Sequence, residues 1–204
     1  NNKMKQDILF LHKGFPGQFY HWAAALAAKG HRVVFLSAKH GGAIPGVQCF
    51  SYERNAIPSG GHVLLEQQQA QVEAGWAVWR SLMKLKAQGF LPQTIVAHVD
   101  FGVGLFVKHV FPACRLIAYC EWYFHYQGNE WDFEPKEREQ LRPGHRMQLQ
   151  LSNNSILQVL QQADVLISPT AWQKSRFPKE YQQRIEVVPD GIDTDFYRPP
   201  QQRQ

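Results

Sequence analysis

A doubly wound α/β fold, with helices on both faces of a parallel sheet of about seven strands, is predicted by three features of the sequence. Short apolar runs rich in strand formers recur along the chain. Patterns of helical period separate them, and glycine or proline marks nearly every junction. The opening stretch shows all three at once. Ile8-Leu9-Phe10-Leu11 is an uninterrupted apolar run, as suits a strand covered on both faces. His12 closes it, and Lys13-Gly14-Phe15-Pro16-Gly17 turns the backbone. Between 18 and 29, Trp22, Ala23, Leu26 and Ala27 share one helical face, and Gly30 stands where a helix ends. Arg32-Val33-Val34-Phe35-Leu36 is the second strand. Such a βαβ unit has a right-handed crossover, which puts the Gly14 to Gly17 loop at the carboxyl end of the first strand, facing any ligand.

The later elements repeat this grammar. Residues 47–52 alternate as a third, peripheral strand, and 62–88 form a long helical pattern. In that helix Val63, Val72, Trp76, Trp79, Leu82 and Met83 are expected to line the packed side while the glutamines face water. Thr94 to His98 is the fourth strand, followed by a short helix that ends before Pro112, and Arg115 to Tyr119 is the fifth. A loop from Cys120 to Pro135 then crowds together Trp122, Tyr123, Phe124, Tyr126, Trp131 and Phe133. It serves either as buried staples or as a stacking platform for a flat or sugar-like ligand. Residues 136–163 are mostly helical, with a break at Pro143-Gly144. Strand six is 164–168, Thr170 caps a helix through Arg176, and strand seven is 184–188. Residues 1–189 thus form one domain, and the Pro- and Gln-rich 190–204 reads as the start of an interdomain connector.

Composition narrows the function classes. Of 204 residues, 44% are hydrophobic and 19% charged, ordinary globular values, and the formal charge is +5. Positive charge favours anionic ligands or surfaces, but the basic residues are scattered and carry no nucleic-acid motif. Three cysteines without a CxxC pair suit a reduced, cytoplasmic setting, and no apolar segment approaches the length of a membrane span. Nine histidines show no HExxH or comparable ligand spacing, so no metal site is expected. There is no GxSxG elbow for a nucleophilic serine.

The predicted strand order 3-2-1-4-5-6-7 gathers polar groups from distant parts of the chain at one rim. These are His12 and the glycine loop after strand one, His98 and Asp100 after strand four, and Glu121 after strand five. Ser168 follows strand six, and Asp190 with Gly191 follows strand seven. His98 reads either as a site residue or as a hydrogen-bonded core histidine, and the glycine loop either as a phosphate-approaching turn or as a turn only.

The opening ILFLHKGFPGQFYHWAAALAAKGHRVVFLS and the closing ISPTAWQKSRFPKEYQQRIEVVPDGIDTDFYRP resemble the N-terminal, acceptor-side domain of family 4 retaining glycosyltransferases of the GT-B fold. The resemblance implies a Rossmann-like domain that helps move a sugar from a nucleotide-sugar donor to a sugar or lipid-linked acceptor, with the anomeric configuration retained. No cofactor is implied, because the nucleotide-sugar is a substrate. It also implies that His98 approaches the donor sugar as the catalytic histidine, and that Gly14, Phe15 and Gly17 with His12 face donor or substrate. Glu121 and Tyr123 lie where acceptor-facing groups are expected, and Asp190, Gly191 and Asp193 form the handover to a second domain; Asp100 and Ser168, read from the rim, join the substrate- or donor-facing set. Two departures stand out. The loop carries separated glycines in place of a pair, and the family's second domain, with its Arg/Lys pair and two-glutamate motif, lies outside these residues. The domain alone is therefore expected to be inactive, and its charge suits peripheral contact with an anionic membrane at the inner face. A stand-alone ligand-binding or interaction module without catalysis is the alternative reading.

Overall fold

The computed structural model describes residues 5–39, 41–57, 60–126, 143–194 and 196–198. Seven strands make one sheet in the order β3-β2-β1-β4-β5-β6-β7, and every neighbouring pair is parallel. They are β1 (Asp7–Leu11), β2 (Arg32–Ser37), β3 (Val47–Ser51), β4 (Thr94–His98), β5 (Arg115–Tyr119), β6 (Val165–Ser168) and β7 (Ile185–Val187). The helices are α1 (Tyr20–Ala28), α2 (Glu66–Ala87), α3 (Val107–Val110), α4 (Pro143–Gln162), α5 (Ala171–Arg176) and α6 (Lys179–Gln182).

Alternation along the strands divides the core into two layers, because successive side chains leave a strand on opposite faces. Ile8, Phe10, Val33, Phe35 and Val96 pack with Phe19 and with Ala23, Trp22 and Leu26 of α1. Leu9, Leu11, Val34, Leu36, Ile95, Ala97 and Leu116 pack on the other face against Ala74, Val78 and Leu82 of α2 and Ile156 and Val159 of α4. The chain reverses direction across the sheet between β1 and β4, where the crossovers leave a crevice at the carboxyl ends.

The helices differ from expectation where small residues decide the packing. A 3-10 turn (Val63–Leu65) precedes α2, and the buried face of α2 is Gln71, Ala74, Gly75, Ala77, Val78, Leu82 and Leu85. Val63, Val72, Trp76 and Met83, expected on the packed side, are exposed, and Gln71, expected in water, is 4% exposed. The reason is a close approach. A Cβ on Gly75 would stand 2.8 Å from the Gly102 carbonyl oxygen, and one on Gly102 would stand 1.9 Å from that of Gln71. The helix therefore presents its narrowest stripe to the loop after β4, and larger side chains turn outward. In α4 the first described residues are Pro143 and Gly144, and the stretch before the expected break lies outside the described residues. The stretch 127–142, with Trp131 and Phe133, and Pro58 lie outside the described residues. No described helix is long and apolar enough to cross a membrane.

Gly102→Ala tests this contact. Gly102 has φ +77°, so an alanine meets both a left-handed backbone and the Gln71 carbonyl. A loss of about 3 kcal/mol or more is expected in chemical denaturation. Gly89→Ala, with φ +81° but nothing within 4 Å, separates strain from collision and is expected to cost only about 1 kcal/mol.

Candidate functional site

The site grows from the ends of β1, β4 and β5. Just beyond β1, the buried His12 ring crosses that of His98 edge-on, with centroids 5.1 Å apart. Gly14 and His12 hydrogen bond locally at 2.9 Å through Nδ1. Gly17 closes the loop beneath the same ring. Its φ is +54°, and a Cβ there would lie 2.8 Å from the imidazole. The glycine loop and His98 are thus neighbours, with His12 between them.

At the end of β4, the backbone N–H of Asp100 donates to His98 Nδ1 at 3.1 Å. The ring proton therefore sits on Nε2, which donates to Glu121 Oε2 at 2.8 Å. Gln18 Nε2 holds the other carboxylate oxygen at 2.6 Å. Phe101 follows in the left-handed region at φ 66°, uncommon for a residue of its size, and stacks on His98 at 4.9 Å. Asp100 Oδ1 receives the Phe101 N–H and Gln71 Nε2, and Gln71 Nε2 also donates to the Ser152 carbonyl at 3.2 Å.

These groups open onto a cleft of about 400 Å³. Its floor holds His98, Asp100, Glu121 and Gln71, and Phe101, Trp122 and Phe124 form apolar walls. Lys13 and Arg54 also line it, both exposed, with Lys13 Nζ 5.0 Å from the Phe101 ring centroid. The ionisation pattern follows from burial and neighbours. Desolvation, reinforced by the nearby His98, lowers the His12 pKa from 6.5 to about 4. The His98 hydrogen bond holds Glu121 below the usual carboxylate range, against the opposing effect of burial. Burial pushes the Tyr52 phenol at the cleft edge up to about 12. Among the described residues no group of three or more His, Cys, Asp or Glu is placed to hold a metal.

Of the residues expected at the site, His98, Asp100 and Glu121 line the cleft, and His12 with Gly14 and Gly17 buttresses it from behind. The others do not line this cleft. Phe15 packs edge-on against Phe35 at 5.1 Å, on the α1 face of the core. Tyr123 turns onto Phe177 at 5.6 Å, so the aromatic loop divides its work: Trp122 and Phe124 wall the cleft while Tyr123 staples the core. Ser168 is fully buried, with its hydroxyl 3.4 Å from the Thr170 carbonyl. Asp190 accepts from the Tyr119 hydroxyl at 2.7 Å, tying the segment after β7 to the end of β5. Gly191 has positive φ, and Asp193 Oδ1 accepts the Phe196 N–H at 3.0 Å in a local turn. Gln18, Gln71, Lys13 and Arg54 escaped the sequence reading. For Gln71 a signal existed, since 71, 74, 78, 82 and 85 trace one helical stripe.

The shifted His12 predicts a pH profile. Its folded pKa lies below the unfolded value, so the unfolded state takes up the proton first as pH falls. Stability is complete above pH 6.5 and declines toward pH 4, by up to about 3 kcal/mol from this group. Glu121 adds a second loss below its unfolded value of 4.5, as its depressed pKa is approached. Denaturation curves across this range should show the first decline flattened in His12→Asn.

Comparison with known proteins places the chain. Residues 29–197 match the glycosyl transferase family 4 group. No curated protein matches the sequence. Among solved structures, the catalytic domain of starch synthase IV from Arabidopsis thaliana, bound to ADP and acarbose, is similar with a TM-score of 0.57 at 17% identity, over 98% of this chain and 54% of that one. A UDP-glucosyltransferase from Polygonum tinctorium capable of glucosylating indoxyl gives 0.56 at 10% identity, over 99% and 56%. UGT2 of Phytolacca americana, complexed with UDP-2fluoro-glucose and pterostilbene, gives 0.54 at 12% identity, over 92% and 54%. At such identities the likeness is one of fold, and the chain spans about half the length of each of these structures. The family match extends over most of the sequence, and the chain belongs to the glycosyl transferase family 4 group, with the Rossmann-like architecture of an N-terminal GT-B domain.

Proposed function

We propose that this chain is the acceptor-binding half of a retaining glycosyltransferase that moves a sugar from a nucleotide-sugar to an acceptor hydroxyl. Family membership makes it a glycosyltransferase-type protein. The observation that carries the finer reading is the ionised Glu121 carboxylate, held from both sides by His98 and Gln18 at the floor of an aromatic-walled cleft at the switch point. A carboxylate fixed in this way can accept a hydrogen bond from an acceptor hydroxyl and orient its oxygen toward an anomeric carbon. Both His98 nitrogens are engaged, one by the Asp100 amide and one by Glu121, so in this reading His98 orients Glu121 at the reacting edge. The new glycosidic C–O bond forms as the bond to the diphosphate breaks, the acceptor's hydroxyl proton passing to Glu121, and the departing charge needs cations or amides nearby. Lys13 and Arg54 supply part of that field from the rim. A donor-binding domain in cis supplies the rest, with the nucleotide-sugar as substrate and no resident cofactor.

Transfer by the protein carrying both domains, scored as nucleoside diphosphate release over a panel of nucleotide-sugars, tests the assignment. Glu121→Gln should lower kcat/KM about a hundredfold in protein whose circular dichroism shows the fold retained, and His98→Ala should fall in the same direction. Undiminished transfer by both variants would remove the cleft from the reaction. The formal charge of +5 extends the proposal to an anionic membrane surface. Co-sedimentation with anionic and with neutral vesicles tests that extension, and equal binding to both ends it.

A further inference from the structure

The hydrogen-bonding groups at the bottom of the cleft are unevenly matched. Asp100 is 6% exposed and lines the cleft. Its Oδ1 is taken by the Phe101 amide and Gln71, and no described residue donates to Oδ2. Gln71 is 4% exposed and spends both amide protons on Asp100 and the Ser152 carbonyl, so its own Oε1, which is buried, accepts nothing. A buried acceptor without a donor costs roughly 1–3 kcal/mol and calls for an explanation. Turning the amide over does not relieve it, because Oε1 would then face the oxygens of Asp100 and Ser152. With Glu121 beside them, the floor offers hydrogen-bond acceptors and two carboxylates. One wall adds a buried donor without a partner, the Trp122 indole N–H.

From this pattern we infer that the cleft takes its acceptor as an uncharged ring polyol, a hexose or cyclitol head seated on Asp100, and that Asp100 is a specificity-determining residue positioned by Gln71. The inference rests on the glycosyltransferase reading and names its acceptor class. A hydroxyl donates to a carboxylate, so a run of ring hydroxyls suits a floor whose open group is the Asp100 carboxylate. The apolar face of the ring lies against Trp122 or Phe124. A phosphate offers mainly acceptors and negative charge, and two carboxylates in a partly desolvated floor repel it. Lys13 and Arg54 are exposed and line the same cleft, where they can meet a charged remainder of the acceptor.

Saturation-transfer NMR on this chain, with D-glucose and myo-inositol as neutral probes and glucose 6-phosphate and inorganic phosphate as anionic ones, tests the inference. At least one neutral polyol should bind, and more tightly than either anion. Asp100→Asn, which keeps the side chain's shape, should weaken it about tenfold. Gln71→Leu should weaken it about threefold in the native background and have no further effect with Asn at 100, a coupling that a general loss of packing would not produce. Binding of neither polyol, tighter binding of the anions, or neutral binding indifferent to Asp100→Asn each overturns the inference. If transfer still depends on Glu121 in that event, the glycosyltransferase reading stands and only the acceptor class falls.

Discussion

The polar architecture of this domain depends on one steric constraint, the contact between the backbone of α2 and the loop that leaves β4. The Gln71 carbonyl occupies the space a side chain at Gly102 would need, and the Gly102 carbonyl occupies that of a side chain at Gly75. Two backbones this close leave the loop few conformations, and the one adopted places Phe101 at positive φ. That turn directs the Asp100 N–H to His98 and the Phe101 N–H to Asp100, and it brings Gln71 within reach of Asp100. Interiors transmit such constraints because they are close-packed and have little room for compromise. The floor of the cleft is therefore set by main-chain packing rather than by flexible side chains, which is how a binding site keeps its geometry.

A line of imidazoles and amides then fixes the charge state. His12 is buried against His98 and held without charge over most of the pH range, so the two rings can lie 5.1 Å apart without repulsion. With Nδ1 committed to a backbone amide, His98 can only donate toward Glu121. Gln18 donates to the second oxygen. At reduced dielectric each bond of such a network strengthens its neighbours, although the Oε1 of Gln18 is buried without a partner. The carboxylate is ionised because the protein has arranged donors around it, although burial alone would have pushed its pKa up.

The contrast between what the sequence revealed and what it concealed follows from the same physics. Strand positions were legible because buried parallel strands are continuous apolar runs, and the strand order followed from short right-handed connections. His98, Asp100 and Glu121 could be placed together because they follow β4 and β5, whose carboxyl ends are adjacent. The face of α2 was misread because Trp76, Met83 and Val72 look like core, whereas closeness to another backbone selects the smallest residues. Gln71 was hidden for the complementary reason: an amide is buried only when a specific partner awaits it, and that partner lies 29 residues away on another element. Ser168 and Tyr123 show a further ambiguity of strand ends. A polar or aromatic residue at a strand end sits at the rim, but the rim has a side facing the core as well as one facing the cleft.

The distribution of charge also bears on why, in the proposed reading, such a chemistry would be divided between domains. A leaving diphosphate needs concentrated positive charge, and a sugar hydroxyl needs hydrogen-bond acceptors that hold it without competing for the anomeric carbon. One pocket cannot meet both demands at close quarters, because carboxylates that bind the hydroxyl would raise the energy of the departing anion. In the proposed reading this chain keeps the acceptor side, placing Asp100 and Glu121 at the floor of a cleft that its two exposed cations also line. The rest of the positive field then has to come from a separately folded surface that closes over that cleft. The Tyr119 to Asp190 hydrogen bond suits such an arrangement. Tyr119 packs against His98 and Phe19 through its ring and holds Asp190 through its hydroxyl, so the course of the chain after β7 is set by the same strand end that shapes the cleft.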